Sequence, residues 1–277
     1  MNNIAKVIEA IKQAEAILIG ASNGLSITEG LHLFAENEAF VQLFGDIQKE
    51  NNIRCILQGM CTNWKTEEEK WGFWSRLIHH YCGSYTPTPT MKRLRELVGE
   101  KDYFVVTSNG ECHFEMCGFE EEKVFEIEGN WLTMQCETGC HNTLYKTLEL
   151  AEEMAKVEKE GKVPTELIPY CNKCGAPMKI HMIGENFIYE TKKQEALQQF
   201  LNTYHNKKML VLELGIGFRN QLIKAPFMNL VEKEPNAIYV TINLGEVYIK
   251  DSIKNKSIGI DGGLEQVIKE IYQGYFL

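Results

Sequence analysis

The sequence has no apolar stretch approaching bilayer-spanning length and no run of basic residues anywhere along its 277 positions. Its opening, MNNIAKVIEAIKQAEAILIG, lacks the basic n-region and small-residue cleavage site of a secretory leader. These absences predict a soluble, cytoplasmic protein without a membrane partner. Lysine and arginine are outnumbered by carboxylates, leaving a net charge of -9, which argues against a nucleic-acid binder because neutralising phosphates requires clustered cations. Two nucleotide signatures are missing as well. There is no G-x-G-x-x-G with an acidic residue about 20 positions on, which disfavours a dehydrogenase, and no Walker sequence. Internal repeats and low-complexity segments are also absent.

What remains is an ordinary globular composition, 44% hydrophobic and 24% charged, and a length that suits one α/β domain with a smaller module. Ile4, Val7, Ile8 and Ile11 have helical spacing, and Ala16 to Ile19 read as a buried strand ended by Gly20. Residues 32–85 are helical and aromatic, with Trp71, Trp74, Ile78 and Tyr81 on one helix face, and the segment ends at Pro87 and Pro89. A helix over 90–99 precedes a strand at 103–107, and a further strand is expected at 124–127. The α/β pattern returns with a helix at 191–206, strands at 209–214, 237–242 and 257–260, and a last helix from Leu264. Strands separated by helices predict a parallel sheet. The expected organisation is therefore α/β, a Rossmann-like domain made of 1–31, 86–129 and 184–277, interrupted by a helical insertion (32–85) and a small module (130–183).

The nine cysteines are an odd number, which suits a reducing compartment with a metal site better than a disulfide framework. Cys136-x3-Cys140 and Cys171-x2-Cys174 supply four thiolates in two knuckles, a set that completes a tetrahedral structural zinc. His141 follows Cys140 directly and is an alternative ligand that the four thiolates make unnecessary. Cys55, Cys61, Cys82, Cys112 and Cys117 are scattered and read as small buried or half-buried side chains.

Strand ends rich in small residues mark nucleotide sites in doubly wound sheets. Here Gly20-Ala21 with Gly24-Leu25-Ser26 comes first, then Thr107-Ser108-Asn109, a strand ending at Glu128-Gly129, the thiolate pairs, Gly215-Ile216-Gly217, and Ile242-Asn243. In this order the chain resembles the sirtuins over nearly its whole length. It is most similar to the macrodomain-linked bacterial class, class M, through Trp74-Ser75-Arg76, Lys101-Asp102-Tyr103-Phe104, Cys117-Gly118-Phe119, Leu212 to Phe218 and Pro226-Phe227.

The resemblance implies NAD and zinc as cofactors. It implies contact of Gly20, Ala21, Gly24, Leu25 and Ser26 with the NAD phosphates, of Ser108 and Asn109 with the nicotinamide ribose, and of Gly215, Gly217 and Asn243 with the adenine ribose. Backbone amides in such turns stabilise a pyrophosphate without lysine. Glu111 falls where sirtuins place the Asp that receives the nicotinamide amide.

Two departures bear on the chemistry. Sirtuins use His as the ribose-activating base, class M proteins carry Gln there, and this chain has Glu128. A carboxylate with an ordinary pKa of about 4.3 is a weak base but stabilises positive charge at the anomeric carbon. That predicts cleavage of the nicotinamide–ribose bond and transfer of ADP-ribose to a protein acceptor, lipoyl-carrier proteins among the acceptors that class M implies, with Asn109, Glu128 and Glu111 as the catalytic set. The second departure is Ile183, which stands where class M proteins have an arginine. Its loss keeps open an NAD or ADP-ribose binder without turnover, with a deacylase third. His113 is a further candidate base, against the commoner outcome of a histidine satisfied in the core.

Overall fold

The computed structural model describes residues 2–276. Its strands are β1 (Ala16–Ala21), β2 (Asp102–Thr107), β3 (Val124–Glu126), β4 (Gly129–Cys136), β5 (Tyr145–Lys146), β6 (Met178–Met182), β7 (Met209–Leu214), β8 (Ile238–Asn243) and β9 (Ser257–Asp261). Six of them form a parallel sheet in the order β3-β2-β1-β7-β8-β9. β1 and β7 are buried along their whole length, which is why they read as unbroken apolar runs. The six strands expected from sequence are the six that form this sheet.

Helices cover both faces. α1 (Asn3–Gln13), α6 (Pro89–Val98) and α11 (Leu264–Phe276) pack on one side, where Val7, Ile11, Leu94 and Ile268 meet Ile17, Ile19 and Val105. α9 (Thr191–Thr203) and α10 (Gln221–Lys233) cover the other with Phe200, Ile223, Phe227 and Val231 against Leu18, Phe104 and Val211. Each helix keeps its apolar side chains on one stripe, and that stripe is what binds it to the sheet.

The remaining elements form a lobe beyond the sheet. It contains α3 (Glu38–Asn51), α5 (Glu67–Ile78), α8 (Leu148–Val157) and a three-stranded antiparallel sheet, β5-β4-β6. The helical and cysteine-bearing segments share one core: Phe40, Phe44, Trp71 and Leu77 pack with Trp131, Cys136, Met154 and Met178. Gly72 lets α5 come close, because a Cβ there would stand 2.0 Å from the Gly161 carbonyl oxygen. Arg76 ties the lobe together with paired bonds to Asp46 (2.7 Å each) and Glu158 (2.7 and 2.8 Å). The small sheet escaped the sequence reading because β4 breaks its alternation at a register shift between Asn130 and Met134.

Candidate functional site

Chain connections run one way from β1 to β2 and β3, and the other way from β7 to β8 and β9, so the topology switches between β1 and β7. Open α/β sheets bind ligands outside the carboxyl ends of the strands at such a point. Ala21 pairs with Thr107 on one side and Leu214 on the other, so the loops after β1, β2 and β7 leave the sheet at one level. Gly24 lies against Gly215, with a bond from Gly24 N to Gly215 O of 3.0 Å. A Cβ on Gly24 would sit 2.5 Å from Gly215 Cα, and Gly215 has φ +63°, so both positions need glycine.

Between these loops and the lobe lies a cleft of about 590 Å³, within the usual range for ligand sites. Of the residues expected from sequence, Gly24, Ser108, Asn109, Glu128, Gly215, Gly217 and Asn243 line it together. Others do not reach it. Gly20 faces Phe227 and Ile223 of α10, and Ala21 and Leu25 are in the core. Ser26 is 1% exposed and donates to Glu111 Oε1 at 2.5 Å.

Glu111 is itself buried, with Oε2 unpartnered. His113 is buried too, stacked under Tyr85 at 3.7 Å between centroids, with Nε2 2.8 Å from the Tyr81 carbonyl. That packing is the commoner outcome weighed for His113, a histidine satisfied in the core, and it leaves the ring out of the cleft. Trp74 is 7% exposed; it packs against Trp131 and also lines the cleft.

The sequence reading missed several lining residues. Ser22 and Ser108 share a hydroxyl bond of 3.0 Å, and Asn220 Nδ2 donates to both at 3.0 Å. Arg219 lines the cleft beside Asn220. The signal available for both was their place directly after the Gly215-Ile216-Gly217 turn. Cys61, expected to be buried or half-buried, is instead exposed and faces the cleft; Cys55, Cys82 and Cys112 are buried and Cys117 is half-buried. Ile183 is 50% exposed in the cleft wall.

Glu128 is half-buried, and burial raises its pKa above the ordinary carboxylate value. This revises the expectation of an unshifted group: a carboxylate so shifted is a stronger base. Behind it Glu126, on β3, is 2% exposed, lies 3.6 Å from Cys112 Sγ and pairs with Lys193 at 3.3 Å. The neighbouring Glu115 has its pKa pushed up to about 9 by burial and by the Glu126 carboxylate.

The four paired cysteines cluster at the tip of the lobe, all sulfurs within 4.8 Å of one another. Cys136 and Cys174 are 3.5 Å apart and Cys140 and Cys171 3.6 Å. A tetrahedron with Zn–S bonds of about 2.3 Å has edges of about 3.8 Å, so the sulfurs fit zinc. The Thr138 hydroxyl, 3.2 Å away, lowers the pKa of the Cys136 thiol, while burial and the neighbouring sulfurs raise that of Cys140, so the four sulfurs titrate as one cluster. His141 Nδ1 lies 3.0 Å from Cys140 Sγ and its Nε2 is held by Tyr145 at 2.8 Å.

No protein-family model matches the chain. It is 29% identical over 265 residues to a protein ADP-ribosyltransferase of Staphylococcus aureus, covering 94% of this chain and 84% of that protein. It is 24% identical over 250 residues to a probable bifunctional ADP-ribose hydrolase/ADP-ribosyltransferase of Fusarium oxysporum f. sp. cubense, spanning 83% of this chain but only 40% of that one. A Sir2 homologue solved as its NAD complex superposes with a TM-score of 0.66 at 15% identity, covering 98% of this chain and 93% of that one. A Sir2 homologue mutant with ADP-ribose superposes with a TM-score of 0.65 at 14% identity, over 100% and 97% of the two chains. The fold is the Sir2 fold.

Proposed function

We propose that this protein is an NAD-dependent protein mono-ADP-ribosyltransferase that breaks the nicotinamide–ribose bond, with a structural zinc held by Cys136, Cys140, Cys171 and Cys174. The observation that carries the reading is the presence of Glu128 in the same cleft wall as Gly24, Ser108 and Asn109, within a Sir2 fold. The name of the Staphylococcus aureus relative supports the same reaction class.

Bound NAD would supply a good leaving group, the cationic pyridinium, attached to C1′ of ribose. The Ser22, Ser108 and Asn220 side chains, already bonded to one another, would orient the ribose end together with Asn109, whose Nδ2 is held by the Ser22 carbonyl at 3.2 Å. As the C1′–N bond lengthens, positive charge would grow on the sugar, and the Glu128 carboxylate would lower that barrier. The acceptor's nucleophile then bonds to C1′ and gives its proton to Glu128 or to water. Glu111, buried and bonded to Ser26 beneath the cleft, does not line it and would act by holding the turn after β2 in place. A zinc held by these four thiolates would have no open position for the reaction and would hold the lobe that forms the opposite wall.

One observation favours a second reading. Ile183 puts no charge into the lobe wall where class M proteins have arginine, which suits a binder of NAD or ADP-ribose without turnover; a deacylase stands behind both. Labelled NAD incubated with cell extract, with nicotinamide quantified by mass spectrometry, separates them. The wild type should release nicotinamide and label protein, and Glu128→Ala should lower release about 100-fold or more. ADP-ribose binding with no release above background would establish the binder instead.

A further inference from the structure

Charge in the cleft is scarce. Among its lining residues Glu128 is the only carboxylate and Arg219 the only cation, in a chain with a net charge of -9. A dinucleotide brings two negative charges on its diphosphate, and the surrounding field disfavours them unless something local offsets it. We propose that Arg219 is that group: its guanidinium pairs with the diphosphate that joins the two nucleosides of the ligand. This rests on the dinucleotide reading of the cleft and adds to it the residue that selects for the diphosphate.

Three features support the assignment. Among the described residues Arg219 makes no ion pair and no side-chain hydrogen bond, whereas Arg76 is committed to Asp46 and Glu158 and Arg54 to Glu36. Its charge is therefore available to a ligand. Its backbone is also well placed. Asn220, the next residue, donates to Ser22 and Ser108, so Arg219 sits beside the loops over which the small-residue turns leave room for phosphate. Asn220 N bonds Gly217 O at 3.1 Å and Phe218 N bonds Glu246 Oε2 at 3.1 Å, which closes the loop.

Third, Arg219 precedes α10, a 13-residue helix whose first turn carries no acidic side chain and whose N-terminus has no side-chain cap. The partial positive charge of the unpaired amides there adds to that of the guanidinium. The planar fork of arginine matches two phosphate oxygens, which lysine, a point charge, cannot do. Ile183 on the far wall adds no competing cation.

The test measures dissociation constants for ADP-ribose and for adenosine on the full chain, for wild type, Arg219→Gln and Arg219→Lys, at low and high salt. Arg219→Gln should weaken ADP-ribose about 10- to 100-fold, change adenosine less than about twofold, and flatten the salt dependence, since the screened charge pair is gone. Arg219→Lys should recover part of the loss. With NAD, kcat/KM should fall chiefly through KM. Unaltered ADP-ribose affinity in Arg219→Gln, an equal loss for adenosine, or a collapse of kcat at constant KM would each overturn the assignment alone. Failure of the wild type to bind ADP-ribose would overturn the cofactor reading first and this one with it.

Discussion

On the sheet side of the cleft the wall is backbone and short polar side chains, with Ser22, Ser108 and Asn220 bonded to one another, whereas the lobe side presents Met60, Trp74, Met182 and Ile183. The two walls are positioned by different physics. The polar wall inherits its geometry from strand register, since loops that leave parallel strands at one level have little freedom left. The apolar wall depends on a core that carries Trp71, Phe73 and Trp131 together with Cys136 and Cys171. A lobe of this size is stabilised by its packing and by whatever its four thiols bind. Chemistry thus belongs to the sheet side, and the placement of the second wall belongs to the lobe.

That division can be broken in three ways, taken from the largest expected effect to the smallest. Replacing Cys171 with serine, or stripping zinc with a chelator, should unfold the lobe while the parallel sheet persists, seen as a split thermal transition and loss of nicotinamide release. A single unsplit transition would show that the lobe does not stand on its metal. Next is the ion pair beneath the sheet wall. Glu213 and Lys224 are bonded to each other at 0% and 1% exposure, and Tyr239 and Thr241 donate to the same carboxylate at 2.6 and 2.8 Å. This network pins α10, and so the Gly215 to Asn220 loop, to β7. Lys224→Met should cost about 3–5 kcal/mol in denaturant unfolding because it leaves a buried charge unpaired, with one transition, not two.

The smallest effect is a pH dependence. The folded protein keeps a proton on Glu115 up to about 9, while the unfolded chain releases it near 4.5. Between those values the unfolded state binds fewer protons, so the stability this group contributes is greatest below the lower value and declines as pH rises toward the higher one. Glu115→Gln stays neutral throughout. Its melting temperature should exceed that of the wild type at pH 8 and converge with it toward pH 4.5; parallel curves across that range would remove Glu115 from the account.

Much of this was legible in the residues. Apolar runs such as Ala16 to Ile19 and Met209 to Leu214 identify buried strands because a strand covered on both faces has no polar side to show. The cysteine pairs pointed to one cluster, because knuckle spacing has few other uses, and the four sulfurs do come together. The order of the small-residue turns located the loops that meet at the switch point. The antiparallel sheet of the lobe was not legible, since β5 has two residues and β4 shifts register in its middle.

By itself, then, the sequence determined the parallel sheet and the four clustered cysteines, both of which follow from local periodicity and spacing. Only the tertiary structure decided which side chains line the cleft. Glu111 and His113 lie a few residues from Asn109 and turn inward, while Arg219 and Cys61, more than 100 and about 50 positions away from it, turn into the cleft. The direction of a loop side chain depends on what packs beneath it, here Tyr85, Tyr81 and Ser26, and those contacts come from parts of the chain that spacing alone does not bring together.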